Sequence, residues 1–206
     1  MKNGNNRFTY YQKYMMNCVY LKSLNNFSIE KCKEFFLEYD MKIEIHPDFD
    51  IYTHSGFLAV RLEFTGKDDP FRGQDLITGF DFSREKYNLI SDLKAPLTEY
   101  GDSLELVLYG LPKKISKILH IGRMASCKYK IKIDGNTELG EAFSRSVAIV
   151  FGAYLLKHCK GIFERDDLLF KYKEKKIKSY LAWENELIRL NYDRVIYFDG
   201  WTYNTK

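Results

Sequence analysis

Between residues 41 and 46 the chain alternates, with Met41, Ile43 and Ile45 set against Lys42, Glu44 and His46. Successive side chains of a strand point to opposite faces, so the pattern predicts a strand with one wet face. Pro47, which has no amide hydrogen to give to a ladder, stops it. The same period recurs over 56–64, where Leu58, Val60, Leu62 and Phe64 oppose a face carrying Arg61 and Glu63. A loop rich in Gly, Asp and Pro follows at 65–75, and 76–82 reads as the next strand. With no helical spacing between them, the two strands predict an antiparallel hairpin. The cleanest alternation lies at 125–133. There Ala125, Cys127, Tyr129, Ile131 and Ile133 face one way and Ser126, Lys128, Lys130 and Lys132 the other, before Asp134-Gly135 turns the chain. Residues 17–24, 103–110 and 194–201 are also strand-like, and "GIF" at 161–163 predicts a short strand leading to an acidic turn.

Three stretches carry the helical period instead. Ser28 is placed to cap a helix in which Ile29, Cys32, Phe35, Phe36 and Tyr39 share a face, opposite Lys31, Lys33, Glu34 and Glu38. Residues 137–160 form the dominant helix, with Gly161 in place to end it. From Val147 to Leu156 it is apolar around most of its circumference, which predicts a central position across the sheet. A last helix over 175–190 turns Ile177, Tyr180, Leu181, Leu187 and Ile188 inward. Shorter helical turns are expected between 84 and Pro96 and at 112–120. Strands outnumber helices, no βαβ rhythm persists and no repeat is visible, so the expected fold is α+β. Its largely antiparallel sheet is covered on one face by the long helix and smaller helices. No Gly/Ser- or Pro-rich linker divides the chain, so one domain is expected over 15–206, behind a flexible leader at 1–14.

Composition adds limits. With 45% hydrophobic and 16% aromatic residues, the 206-residue chain can build a core without metals or disulfides. Its four cysteines, Cys18, Cys32, Cys127 and Cys159, are scattered without a CxxC, which argues against a zinc ribbon and for free buried thiols in a reducing cytoplasm. The longest uncharged stretch, 146–156, is about half of what a bilayer needs, so no membrane association is expected. The net charge of +4 permits an anionic partner and requires none.

Candidate chemistry is sparse. His46, Asp48, Asp50 and His54 crowd one loop and include groups that ligate zinc or iron. Metal motifs place such ligands on a helix face or in a Gly-pivoted loop, and this stretch does neither, so a polar turn is the expected reading. Asp81, Asp92 and Lys94 have the spacing of a nuclease core, but "SDLKAPL" lacks strand character. No G-x-S-x-G, Walker or G-x-G-x-x-G motif occurs, and no metal or cofactor is expected. The lysines of 171–178 and the Lys128/Lys130/Lys132 face, interleaved with Tyr129 and Tyr172, suit either a solvated surface or single-stranded nucleic acid.

The stretch "GEAFSRSVAIVFGAYLLKHCKGIFERDD" at 140–167 resembles a pattern of bacterial toxin-immunity proteins: a long apolar helix, a glycine, a short strand and an acidic turn. The resemblance implies an α+β protein that neutralises a cognate toxin by tight binding, without catalysis or cofactor. From the residues themselves, the acidic loops Asp48/Asp50, Asp68/Asp69 and Asp166/Asp167 are the candidate partner-binding residues, since acids steer a protein partner with a positive surface. Two alternatives follow from the residues alone: a nucleic-acid-associated protein using the lysine faces, and a metal-dependent hydrolase centred on His46 and Asp48.

Overall fold

The computed structural model describes residues 16–94, 120–135, 141–165, 168–190 and 195–201. The expected leader at 1–14, the strand at 103–110 and the helical turns at 112–119 lie outside the described residues, as do Asp166 and Asp167.

Among the described residues seven strands form one sheet: β1 (Met16–Leu21), β2 (Met41–Ile45), β3 (Gly56–Phe64), β4 (Leu76–Lys86), β5 (Tyr129–Asp134), β6 (Ile162–Arg165) and β7 (Leu168–Phe170). Their order is β2-β3-β4-β5-β1-β6-β7, and every pairing is antiparallel. The helices are α1 (Ile29–Leu37), α2 (Leu89–Lys94), α3 (Ile121–Met124), α4 (Glu141–Cys159) and α5 (Glu174–Leu190). This is the expected α+β architecture, with the long helix α4 laid across one face of the sheet.

The alternating residues of β2 and β3 turn inward as their period requires: Met41, Ile43, Ile45, Leu58, Val60, Leu62 and Phe64 are all buried. Ser28 accepts a hydrogen bond from the Lys31 amide at 3.3 Å and so starts α1, which buries Cys32, Phe35 and Phe36. In α4 every residue from 143 to 156 is buried, because the sheet covers one side while α1 and α5 pack on the others. Phe151 lies at the centre, 5.1 Å from Phe80 and near Phe49 and Phe82. Gly152 permits the close approach to β6, since a Cβ there would sit 2.6 Å from the Phe163 ring. At the start of α4 the buried Ser144 hydroxyl donates to the Gly79 carbonyl and pairs with Thr78 Oγ1 at 3.2 Å.

Charge enters this core at the seam between α4 and α5. Glu184 is fully buried and accepts from Arg145 Nε at 2.8 Å and from an Arg165 guanidinium nitrogen at 3.0 Å. Arg165 also lies over the Tyr180 ring at 4.5 Å. Helical spacing marks Ile177 and Leu181 as inward, and both are buried; Glu184, one turn on, shares that face as a counter-ion.

Several boundaries differ from the sequence pattern, each for a tertiary reason. β4 continues to Lys86 through the charged run Ser83–Lys86 because β5 pairs with it from Asp81 onward. β5 begins only at Tyr129. Before it, Cys127 follows the short helix α3 and joins a second cluster with Cys18, Tyr20, Leu89, Met124 and Ile162. Residues 195–201, expected as a strand and turn, make a single bridge at Tyr197 with Leu76. Phe198 then lies under Arg61 at 5.0 Å and Trp201 sits edge-on to His46 at 5.1 Å.

Gly161 is not the left-handed residue that ends α4. Lys160 takes that conformation, with φ of 55°. Gly161 serves another need: a Cβ there would stand 2.4 Å from Leu21 Cδ2 and 2.7 Å from the Tyr20 carbonyl. The glycine lets the end of α4 press against β1.

Candidate anion-binding site

That junction of α4 with β1 opens onto a concavity of about 460 Å³. Its floor is apolar: Leu156 of α4, Ile162 of β6 and Cys127 are all buried, and Gly161 completes it. Around it stand five cations from four separate parts of the chain, namely Lys22, Arg123, Lys157, Lys160 and Lys171. No carboxylate lines it among the described residues.

Local structure sets each one in place. Lys22 directly follows the last residue of β1, where the Leu21 carbonyl accepts from the Lys128 amide at 2.8 Å. Arg123 belongs to α3, and its carbonyl accepts from the Ser126 hydroxyl at 2.8 Å, which tightens the turn that brings Cys127 to the floor. The left-handed backbone at Lys160 reverses the chain after α4. Lys171 and Tyr172 come directly after β7. Tyr172 is held from behind, its hydroxyl 3.1 Å from that of Tyr39 and its ring edge-on to Phe35 at 6.1 Å.

Lys157 is neutralised: its ammonium donates to both oxygens of Glu38, at 3.0 and 2.9 Å, and lies over the Phe35 ring at 4.9 Å. Lys22, Arg123, Lys160 and Lys171 have no ion pair among the described residues. The carbonyl end of α4 offsets roughly half a charge. The balance is strongly positive, and a concave low-dielectric wall focuses that potential toward an incoming anion. Next to Lys157, His158 has its imidazole pKa lowered by partial burial and then by the Lys157 ammonium, with Glu38 opposing and Lys31 adding to the shift. Burial pushes the Cys159 thiol up to about 11, so it is not a nucleophile at neutral pH.

The histidines and acids at 46–54 and the acids at 68–69 are not among the residues that line it. Asp48 is exposed beside His46, whose Nδ1 accepts from the Asp48 amide at 3.2 Å. Asp50 closes its own turn, accepting from the Tyr52 amide at 2.8 Å and the Thr53 hydroxyl at 3.1 Å. His54 packs against Phe49 at 5.3 Å and Phe82 at 6.0 Å. The loop is built as a polar turn. Among the described residues no three His, Cys, Asp or Glu side chains gather to hold a metal ion. Asp68 is exposed, and Asp69 accepts from the Phe71 amide at 2.8 Å. Asp48 and Asp50 lie in the loop before β3, and Asp68 and Asp69 in the loop after it. Asp92 accepts from the Tyr87 hydroxyl at 3.2 Å on α2, while Asp81 faces Asp134 across β4 and β5.

The lysine faces divide. β5 lies between β4 and β1, so Lys130 and Lys132 stand on the face of a central strand rather than along an edge, and Lys132 pairs with Glu85. Of the 171–178 run, Lys171 and Tyr172 line the concavity, whereas Lys178 pairs with Glu174 at 2.6 Å on α5. The concavity itself has no local signature, because its cations lie up to 149 positions apart, from Lys22 to Lys171.

Fold and site together define an α+β chain with a basic, apolar-floored concavity at the end of its central helix. No family model, no curated protein and no solved structure matches the chain. No helix among the described residues is long and apolar enough to cross a membrane.

Proposed function

We propose that this chain works by binding, and that its recognition site is the basic concavity, which receives a partner carrying several negative charges. One observation carries the reading: four cations from four segments meet there without a counter-ion among the described residues. On the sheet face away from α4 the pattern is the opposite. Lys42 pairs with Glu63 at 2.9 Å, Arg61 with Glu44 and Asp75 at 3.3 and 2.9 Å, and Lys132 with Glu85. Cations left without partners on one wall are available to a ligand. Calorimetric titration with inorganic pyrophosphate tests this. Binding is expected to weaken as salt rises and to be lost in the double variant Lys22→Glu/Lys160→Glu. A protein that takes up no pyrophosphate at low salt would sink the reading.

A second reading is the immunity-type protein that neutralises a cognate toxin. It is favoured by the fact that Lys157, Lys160 and Gly161, one wall of the concavity, fall within the 140–167 stretch that resembles those proteins. The basic wall then meets an acidic patch on the toxin. Co-purification with the product of the adjoining gene, abolished by the same double variant, is the measurement that supports it.

A further inference from the structure

Resting on the anion-binding reading of the concavity, we infer that its ligand is a small phosphorylated molecule with a flat ring: a nucleoside di- or triphosphate. Three features of the site lead there. The volume of about 460 Å³ is that of a site for one small organic molecule. A phosphate monoester carries a charge of about −1.5 to −2 at neutral pH, so one such group leaves the four cations, which have no ion pair among the described residues, half answered, and two or more answer them. Arg123 adds a planar fork that grips phosphate oxygens in pairs, and the three lysines add point charges around it.

A bare polyphosphate explains the rim but not the floor. Leu156, Ile162 and Cys127, already buried within the fold, line it with apolar groups that give an inorganic anion no hydrogen-bond partner. Among the described residues Tyr172 is the one aromatic side chain in the lining, its hydroxyl tied to Tyr39 and its ring braced by Phe35. Lys157 Nζ also lies over this ring at 5.6 Å, so the ring offers a base one place to stack rather than two. Proteins that track a single strand use a groove with successive aromatics; here the cations encircle a single hollow. No glycine-rich phosphate loop is needed, because side-chain charges do the work of backbone amides.

The test is calorimetric titration of the full chain with five probes: the four ribonucleoside triphosphates together, ADP, inorganic tripolyphosphate, adenosine, and a ten-nucleotide dT oligomer. The expected result is that the triphosphates and ADP bind, tripolyphosphate binds about tenfold or more weakly, and adenosine weaker still. Tyr172→Leu should erase the advantage of nucleotide over tripolyphosphate while leaving tripolyphosphate binding in place. Lys22→Glu/Lys160→Glu should weaken every anion. Thermal unfolding of each variant without ligand separates lost binding from lost fold, and Tyr172→Phe, which keeps the ring, should bind nucleotide as the parent does. Equal binding of tripolyphosphate and nucleotide overturns the nucleotide inference and leaves the anion site standing. Far tighter binding of the oligomer overturns it in favour of single-stranded nucleic acid. If no anion binds and the charge reversals change nothing, the inference and the reading beneath it fall together.

Discussion

Two groups of charges in this protein stand in contrast: Arg145, Glu184 and Arg165 in the α4–α5 seam, and Lys22, Arg123, Lys160 and Lys171 around the concavity. In the seam one carboxylate lies between two guanidiniums, at 2.8 and 3.0 Å, and all three side chains are buried. In the concavity four exposed cations share no carboxylate among the described residues. The physical reason is solvation. A buried charge without a partner costs several kcal/mol, so the seam has to be closed within the fold. An exposed ammonium keeps its water, so it is able to remain unpaired in the folded protein. Matched charges therefore mark structure, and unmatched ones in a hollow mark a place for something else.

The largest effect should come from the seam. Glu184→Leu removes the carboxylate that both guanidiniums share and should cost about 3–5 kcal/mol in urea unfolding. Lys22→Ala or Lys160→Ala should stay within about 0.5 kcal/mol of the parent. A large loss in the lysine variants would mean that the concavity charges hold the fold, and the contrast would collapse.

Gly161→Ala links the two regions. Its new Cβ meets the Tyr20 carbonyl and Leu21, so a loss of about 1–3 kcal/mol is expected in the same unfolding assay. Because Lys160 must shift with it, pyrophosphate binding should weaken as well, which no seam variant that still folds should cause. Ser28→Ala removes the cap of α1 and should cost about 1 kcal/mol with binding unchanged.

The smallest effect is a pH dependence. His158 has its pKa lowered in the folded chain, so the unfolded state takes up a proton first as pH falls. The contribution of its neutral form is present above the unfolded value of about 6.5 and is lost as pH drops through 6.5 toward the folded pKa. Lys157 and Lys31 push in this direction and Glu38 opposes them. His158→Gln should flatten the slope of stability against pH in that window. Titration of the imidazole by NMR should find it below the ordinary histidine value.

Much of the fold is legible in the chain because period and burial are one phenomenon. The alternation at 41–45 and 56–64 became β2 and β3 with the expected residues inward, and Ser28 caps α1. The all-round apolar run at 147–156 lies at the centre. Where pattern and pairing disagree, pairing won. Residues 84–86 fall where a short helical turn is expected but are strand, since a backbone ladder is indifferent to side-chain charge when a neighbour stands in register. Cys127, in phase with Ile131, left that face because α3 turns the chain before β5 begins. In the 46–54 loop the Asp50 carboxylate closes its own turn and His46 Nδ1 accepts from the Asp48 amide, a use that their local spacing also fits.

By itself, then, the order of apolar and polar residues determined the class of fold, the central helix and the faces of its principal strands, because those depend on interactions between near neighbours and on burial. Only the tertiary structure decided that Glu184 lies between two arginines and that Lys22, Arg123, Lys160 and Lys171 surround one hollow. Such convergence depends on strand order and on how closely α4 meets β1, and neither is written in the spacing of residues along the chain.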